Sequence, residues 1–143
     1  MTSLSLIGLF AMVCGLVGLL IGGRLFSPAP GAIALQLVAA GLMIWARLTF
    51  GLRSFHASAT PTAGGIVTTG PYRWIRHPIY TAVCLFALGG AAAHPGAGAW
   101  MLLGVTVAGA FLRMLAEEDL LRRRYPEYLE YARRTRRMIP FVF

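Results

Sequence analysis

The sequence contains no lysine, so its thirteen strongly basic residues are all arginines, and only five residues are acidic. Charged residues make up 13% of its 143 residues, well below the roughly 25% usual in soluble domains. Hydrophobic residues reach 57% and the mean hydropathy is +0.68, which excludes an ordinary soluble domain. A net charge of +8 is compatible with nucleic acid, but this hydrophobicity favours membrane lipid as the partner. We therefore expect an integral membrane protein forming one domain over residues 1–143.

Cysteine is also scarce, and its two copies argue against a metal centre or a disulfide framework. Cys14 and Cys84 both lie within apolar runs and form no C-x-x-C pattern. The three histidines are scattered along the chain and have no cysteine neighbours. We therefore predict no metal site and no functional thiol.

Four apolar stretches predict about four transmembrane helices, and hence an all-α integral membrane fold. The first, residues 4–23, is long enough to cross the hydrocarbon core, with a cleaved signal peptide as the competing interpretation. The second is residues 32–50. Residues 79–93 and 98–115 form a C-terminal hairpin around a tight turn. The first arm of this hairpin is short, so we expect it to be tilted or to begin within the interface.

The connection at residues 51–70 is the longest polar one, and it shows no periodicity. Connections of about twenty residues without structure of their own are usually functional or disordered. We expect this one to be functional, because it leads directly into a polar segment ahead of the third span.

The chain changes character after the fourth stretch. A helical extension out of the membrane is broken near Pro126, which can open a short amphipathic helix. On that helix Tyr128 and Tyr131 share one face, and we expect Arg137 on the opposite face. The final residues, 139–143, are apolar enough to fold back onto the protein or onto lipid.

The arginines also predict the orientation in the membrane. With four spans, every arginine except Arg24 lies on the side of the bilayer that carries both termini. The positive-inside rule therefore places both termini, the amphipathic helix and the polar segment ahead of the third span in the cytoplasm.

This polar segment meets the end of the hairpin, where we place the candidate site. Pro78 is well placed as the first residue of a helix, whose free N–H groups favour a carboxylate or phosphate. Arg76 and His77 precede it, and the hairpin brings His77 to the same membrane face as Glu117. The simpler interpretation is an interfacial ion pair between Arg113 and Glu117, four residues apart. The convergence of these charged groups at the bilayer favours a functional site instead.

The same residues resemble the signature of the isoprenylcysteine carboxyl methyltransferase family, with its relatives the phospholipid methyltransferases. The first element is VTTGPYR followed by RHPIY, at residues 67–80. The second is a Glu-Glu pair at residues 117–118, followed by Tyr-x-x-Tyr at 128–131 and Arg-x-Ile-Pro at 137–140. Ala82 departs from the pattern, because relatives commonly carry glycine two residues after the tyrosine.

The resemblance implies an enzyme that methylates a lipophilic, membrane-associated acceptor with S-adenosylmethionine. Seven residues would then line the cofactor pocket: Tyr72, Arg76, His77, Pro78, Tyr80, Glu117 and Glu118. Arg113 and Glu117 are the candidate catalytic residues. Arg113 could position an anionic substrate or orient Glu117, and either glutamate could accept a proton from an amine.

The sequence leaves three functions open. The resemblance makes a carboxylate acceptor, as in prenylcysteine-type substrates, the leading one. A carboxylate or a thiolate is already nucleophilic and needs little beyond positioning and exclusion of water. Methylation of a phospholipid amine is the alternative within enzymes. A non-catalytic membrane protein, whose arginine-rich tail binds anionic lipid or a partner, is the alternative of a different class.

Overall fold

In a computed structural model, residues 2–51 and 65–143 are described, and within these ranges the chain is helical apart from turns and one isolated β-bridge. The all-α prediction is confirmed. Part of the connection predicted to be functional, residues 52–64, lies outside the described residues. The helices are α1 (Thr2–Ile21), α2 (Pro30–Phe50), α3 (Pro78–Ala93), α4 (Ala97–Arg124) and α5 (Tyr128–Arg134), with a 3-10 turn at Gly70–Arg73.

Within residues 2–51 and 65–143, three helices are long and apolar enough to cross a membrane: Ser3–Ile21, Pro30–Phe50 and Ala97–Arg124. The helix α3 is apolar but has only 16 residues. At 1.5 Å per residue it measures about 24 Å, short of the roughly 30 Å of hydrocarbon that a span must cross. This agrees with the short first arm expected for the hairpin.

The helix α1 packs closely on α4 because glycines remove the side chains that would separate them. A Cβ on Gly8 would lie 2.7 Å from the carbonyl oxygen of Gly109, and one on Gly15 would meet Thr106. Gly8 lies opposite the late part of α4 and Gly15 opposite an earlier part, so the two helices run antiparallel. The start of α1 is thereby placed beside the end of α4, where the candidate site lies.

A buried amide fastens α2 to α3. Gln36 donates from Nε2 to the carbonyl oxygen of Leu25 at 2.6 Å and to that of Phe86 at 3.3 Å. The Leu25 carbonyl belongs to the connection between α1 and α2, and the Phe86 carbonyl belongs to α3. The bonds fix α3 laterally, and with it the position of its polar first turn.

The segment after α5 folds back and pairs with the chain ahead of α3. The N–H of Arg76 donates to the carbonyl of Arg136 at 2.7 Å, and the N–H of Arg136 donates to Trp74 at 3.0 Å. Because α5 ends at Arg134, the prediction that Arg137 lies on its exposed face is wrong. Arg137 instead leaves the helix and turns inward to contact the candidate site.

Candidate active site

Three polar side chains contact one another where α3 meets α4: the phenol of Tyr80, the guanidinium of Arg113 and the carboxylate of Glu117. Arg113 donates from Nε to Tyr80 Oη at 2.7 Å, and Tyr80 Oη donates in turn to Glu117 Oε1. Arg113 Nε also lies 3.4 Å from Glu117 Oε1, as their spacing of four residues predicts. Arg113 further reaches the carbonyl of Ser5 at 3.5 Å, so α1 contributes to the group as well.

The imidazole of His77 lies between the two glutamates. Its Nδ1 is 3.8 Å from Glu117 Oε2 and its Nε2 is 3.4 Å from Glu118 Oε1. The ring stacks on Tyr80, with centroids 5.8 Å apart and planes at 26°. The expected convergence of His77 and Glu117 at one end of the hairpin is therefore seen in the structure.

Glu118 is the most enclosed carboxylate of the site, and it is surrounded by arginines. Arg76 Nε donates to its Oε1 at 2.9 Å, and Arg137 lies 3.2 Å from its Oε2. Arg122, one turn later on α4, is 3.3 Å from the same Oε2. Charge-assisted bonds of this kind are stronger than neutral ones, so Glu118 joins the start of α3, the end of α4 and the folded-back segment.

The guanidinium of Arg76 also forms its hydrogen bonds with groups of the protein. Its Nη1 donates to the carbonyl oxygens of Ala132 at 2.9 Å and Thr135 at 2.6 Å, in addition to its bond with Glu118. These carbonyls lie at the end of α5, where the last C=O groups of a helix have no N–H donors within the helix. Arg76 therefore holds α5 against the site.

Pro78 is the first residue of α3, as the sequence predicts. Proline supplies no N–H, and the side chain of His77 does not cap the helix. The remaining first-turn N–H groups carry the partial positive charge of the helix end. This positive end lies beside His77, the residue that precedes the helix.

Tyr72 approaches the site from the 3-10 turn. Burial raises the pKa of its phenol well above the ordinary value, and the negative charge of Glu117 acts in the same direction. Tyr72 therefore stays protonated, and its hydroxyl remains able to donate. Tyr131 donates its own hydroxyl to the Tyr72 carbonyl at 2.7 Å, which ties this turn to α5.

Exposure separates the two glutamates. The side chain of Glu117 is 24% exposed, whereas that of Glu118 is 3% exposed. His77, Arg76 and Arg113 are all buried or nearly so. Of the two glutamates, Glu117 is therefore the one whose carboxylate is partly open to solvent.

Sequence reasoning missed two of the arginines that bond Glu118. Arg122 follows Glu118 by four residues, so the helical spacing could have indicated it. Arg137 belongs to the Arg-x-Ile-Pro element of the resemblance, but no spacing indicated its bond to Glu118, because its approach depends on the chain reversing after α5. Thr81 was also missed, although its hydroxyl donates to the carbonyl of Met138 at 2.8 Å and fastens the same segment.

The fold is that of an all-α protein of membrane type, with a cluster of charged side chains where α3 meets α4. The family model of the phospholipid methyltransferases matches residues 28–128, and the chain belongs to this family. The match covers α2, α3 and α4 and therefore most of the site described above. It confirms the resemblance identified from the paired motifs.

Two characterised relatives share part of this sequence. The nickel-cobalt-cadmium resistance protein NccN of Alcaligenes xylosoxydans xylosoxydans is 40% identical over 83 residues, covering 52% of this chain and 36% of the relative. The cobalt-zinc-cadmium resistance protein CzcN of Cupriavidus metallidurans is 36% identical over 76 residues, covering 52% of this chain and 35% of the relative. The chain thus spans about a third of the length of each. No solved structure matches it.

Proposed function

We propose that this protein transfers a methyl group from S-adenosylmethionine to a lipophilic acceptor in the membrane, with a carboxylate as the acceptor group. The observation that carries the proposal is the group of Tyr80, Arg113 and Glu117, with His77 beside it. This polar group lies where two apolar helices end, in a chain of a methyltransferase family.

The residues present fit this cofactor. S-adenosylmethionine brings an electrophilic methyl group, and it carries hydroxyls, an ammonium and a carboxylate as handles. Glu117 is exposed enough to accept hydrogen bonds from the hydroxyls or the ammonium. The first turn of α3 at Pro78, with His77 and the Tyr72 phenol, offers donors for the carboxylate.

Arg76 and Glu118 act on the cofactor indirectly in this proposal. Both side chains are almost fully buried, and their bonds run to α5, α4 and the folded-back segment. We therefore propose that they are positioning residues, which hold His77 and Glu117 in place. Their contact with the cofactor, predicted from the resemblance, stays a prediction.

The charge of the site favours an anionic acceptor. Four arginines surround two glutamates: Arg76, Arg113, Arg122 and Arg137 against Glu117 and Glu118. This excess of positive charge favours an anionic acceptor group over a cationic one, most strongly where solvent is excluded. Arg113, the arginine nearest the apolar layer, is placed to hold the acceptor carboxylate, or to orient Glu117 beside it.

A phospholipid amine is the second candidate acceptor, and the family match favours it. An amine attacks only after losing its proton, and Glu117 is the carboxylate able to take it. Incubating the protein in nanodiscs with methyl-labelled cofactor, a prenylcysteine analogue and phosphatidylethanolamine in separate reactions distinguishes the acceptors. Label in the phospholipid alone would overturn the carboxylate proposal.

The cofactor itself is tested by calorimetric binding of S-adenosylmethionine and S-adenosylhomocysteine to the protein in lipid nanodiscs. We expect Glu117→Gln and His77→Ala to weaken binding about tenfold or more, or at least 1.4 kcal/mol. Asp119→Asn is the matched control, because Asp119 lies on the same helix but pairs outward with Arg123. Absence of binding by the folded wild-type protein would favour the non-catalytic, lipid-binding alternative.

A further inference from the structure

We propose that the turn at residues 139–143 is inserted into the bilayer, with its apolar tip among the acyl chains and nearby arginines at anionic headgroups. This turn lies beyond the range that the family model matches. The proposal does not depend on the methyl acceptor or on the cofactor.

The turn has a fixed shape that directs apolar side chains outward. The N–H groups of Met138 and Ile139 both donate to the carbonyl of Phe143 at 2.7 Å. Phe141 has φ +65°, a left-handed conformation that a bulky residue adopts only when its surroundings impose it. Phe141 and Val142 are 86% and 75% exposed as a result.

A ring contact fixes the depth of the turn. Phe143 stacks on Phe111 of α4, with centroids 6.1 Å apart and planes at 18°. Phe111 precedes Glu117 by six residues, so it lies about 9 Å further into the apolar part of α4. It follows Ala97, where α4 begins, by about 21 Å, which is within the thickness of the hydrocarbon core. The turn therefore reaches the level of the bilayer.

Two large apolar side chains of α1 at this depth also face outward. Gly8 of α1 lies against Gly109 of α4, so neighbouring α1 residues are level with Phe111. Two of them, Ile7 and Phe10, are exposed large hydrophobics. Exposed apolar side chains of α1 and of the turn thus lie at a similar depth, and in a membrane protein the medium that covers such side chains is lipid.

Arginines lie immediately before the turn. Residues 122–137 contain seven arginines and two acidic residues. Among the described residues, Arg133 and Arg136 are exposed and have no acidic partner, whereas Arg134 pairs with Glu130. Arginines next to an inserted apolar segment bind the phosphates of anionic lipid, and the attraction falls off with salt.

Insertion of the turn has a consequence for the site. The chain just before the turn pairs with residues ahead of α3 through the N–H of His77, which donates to the Arg137 carbonyl at 2.9 Å. Met138 packs against the cluster that contains Tyr80. Lipid that holds the turn therefore also holds this segment against the site.

The test is spin-label depth measurement on the full chain in nanodiscs, after both native cysteines are replaced by alanine. Phe141→Cys carries the label, Ile7→Cys is the lipid-facing control, and Glu127→Cys is the water-facing control. We expect the label at Phe141→Cys to collide with oxygen, and to be shielded from a water-soluble nickel chelate, as at Ile7→Cys. Accessibility to the chelate equal to that at Glu127→Cys would overturn the proposal.

Two further results bear on the same proposal. Label–label coupling in discs of the singly labelled Phe141→Cys protein would show a second copy on the turn, and would overturn insertion into lipid.

Adding phosphatidylglycerol to phosphatidylcholine discs should shift the label deeper, and Arg133→Gln with Arg136→Gln should abolish that shift. An equal shift in the arginine variant would overturn the role of the arginines.

Discussion

At the scale of single residues, the site divides two adjacent glutamates into different roles. Glu117 and Glu118 point to different sides of α4, so one contacts Tyr80 and Arg113 while the other meets the arginines of the C-terminal segment. The buried carboxylate of Glu118 stabilises the fold, because removing it or one of its arginines would leave a buried charge without a partner. The carboxylate of Glu117 is the one that remains partly open to solvent.

We predict that Glu118→Gln lowers the free energy of unfolding by about 3 kcal/mol, because it leaves Arg76 and Arg137 without their anion. Denaturant unfolding in detergent micelles measures this. The control is Glu130→Gln, which breaks an exposed pair with Arg134 and should cost less than about 1 kcal/mol. Equal stability of the two variants would contradict the positioning role of Glu118.

At the scale of elements, the packing of α1 on α4 positions the start of α1 against Arg113 of the site. Contact between their backbones depends on glycine at the crossing, and the carbonyl of Ser5 in α1 is near enough to receive Arg113. Because the two helices are in direct contact, a substitution that pushes them apart would also move the Ser5 carbonyl away from Arg113.

We predict that Gly15→Ala destabilises the protein by about 1–3 kcal/mol, since the new methyl group would lie 2.8 Å from the backbone carbonyl of Leu102. Thermal unfolding in nanodiscs provides the measurement. Gly104→Ala is the matched control on α4, because nothing lies within 4 Å of its added Cβ. The control should be neutral or slightly stabilising, because alanine favours helix by about 1 kcal/mol over glycine. Similar losses in both variants would refute the close crossing.

At the scale of the whole molecule, arginine is distributed unevenly between the two ends of the helices. Arg24 lies at the end that carries the turn between α3 and α4, where its side chain approaches Gly98. The site and the arginine-rich segments lie at the other end. We propose that this arginine-rich end faces the cytoplasm, following the positive-inside rule.

This orientation predicts the outcome of labelling in intact spheroplasts with a membrane-impermeant maleimide. On a background without native cysteines, Gly96→Cys should react before permeabilisation and Glu127→Cys only after it. Both positions are exposed, and the backbone at Gly96 is extended, so neither substitution strains the fold. The reverse order of labelling would place the site outside the cytoplasm.

Much of this architecture follows from local pattern. Apolar runs of span length, a proline at the first position of α3 and a spacing of four between Arg113 and Glu117 are all written along the chain. A tight turn makes two helices antiparallel, so even the approach of His77 to Glu117 could be predicted without coordinates. These features depend on neighbours close in sequence, which is why the sequence carries them.

By itself, the sequence determined that the protein is an all-α membrane protein, and which end of the hairpin collects its polar groups. Hydrophobicity and helical periodicity suffice for both. Only the tertiary structure decided that Glu118 is enclosed while Glu117 stays open, and that Arg137 turns inward. Both depend on the chain reversing after α5 and pairing with residues about sixty positions earlier. Such pairing results from packing and from bonds between distant segments, which no local spacing records.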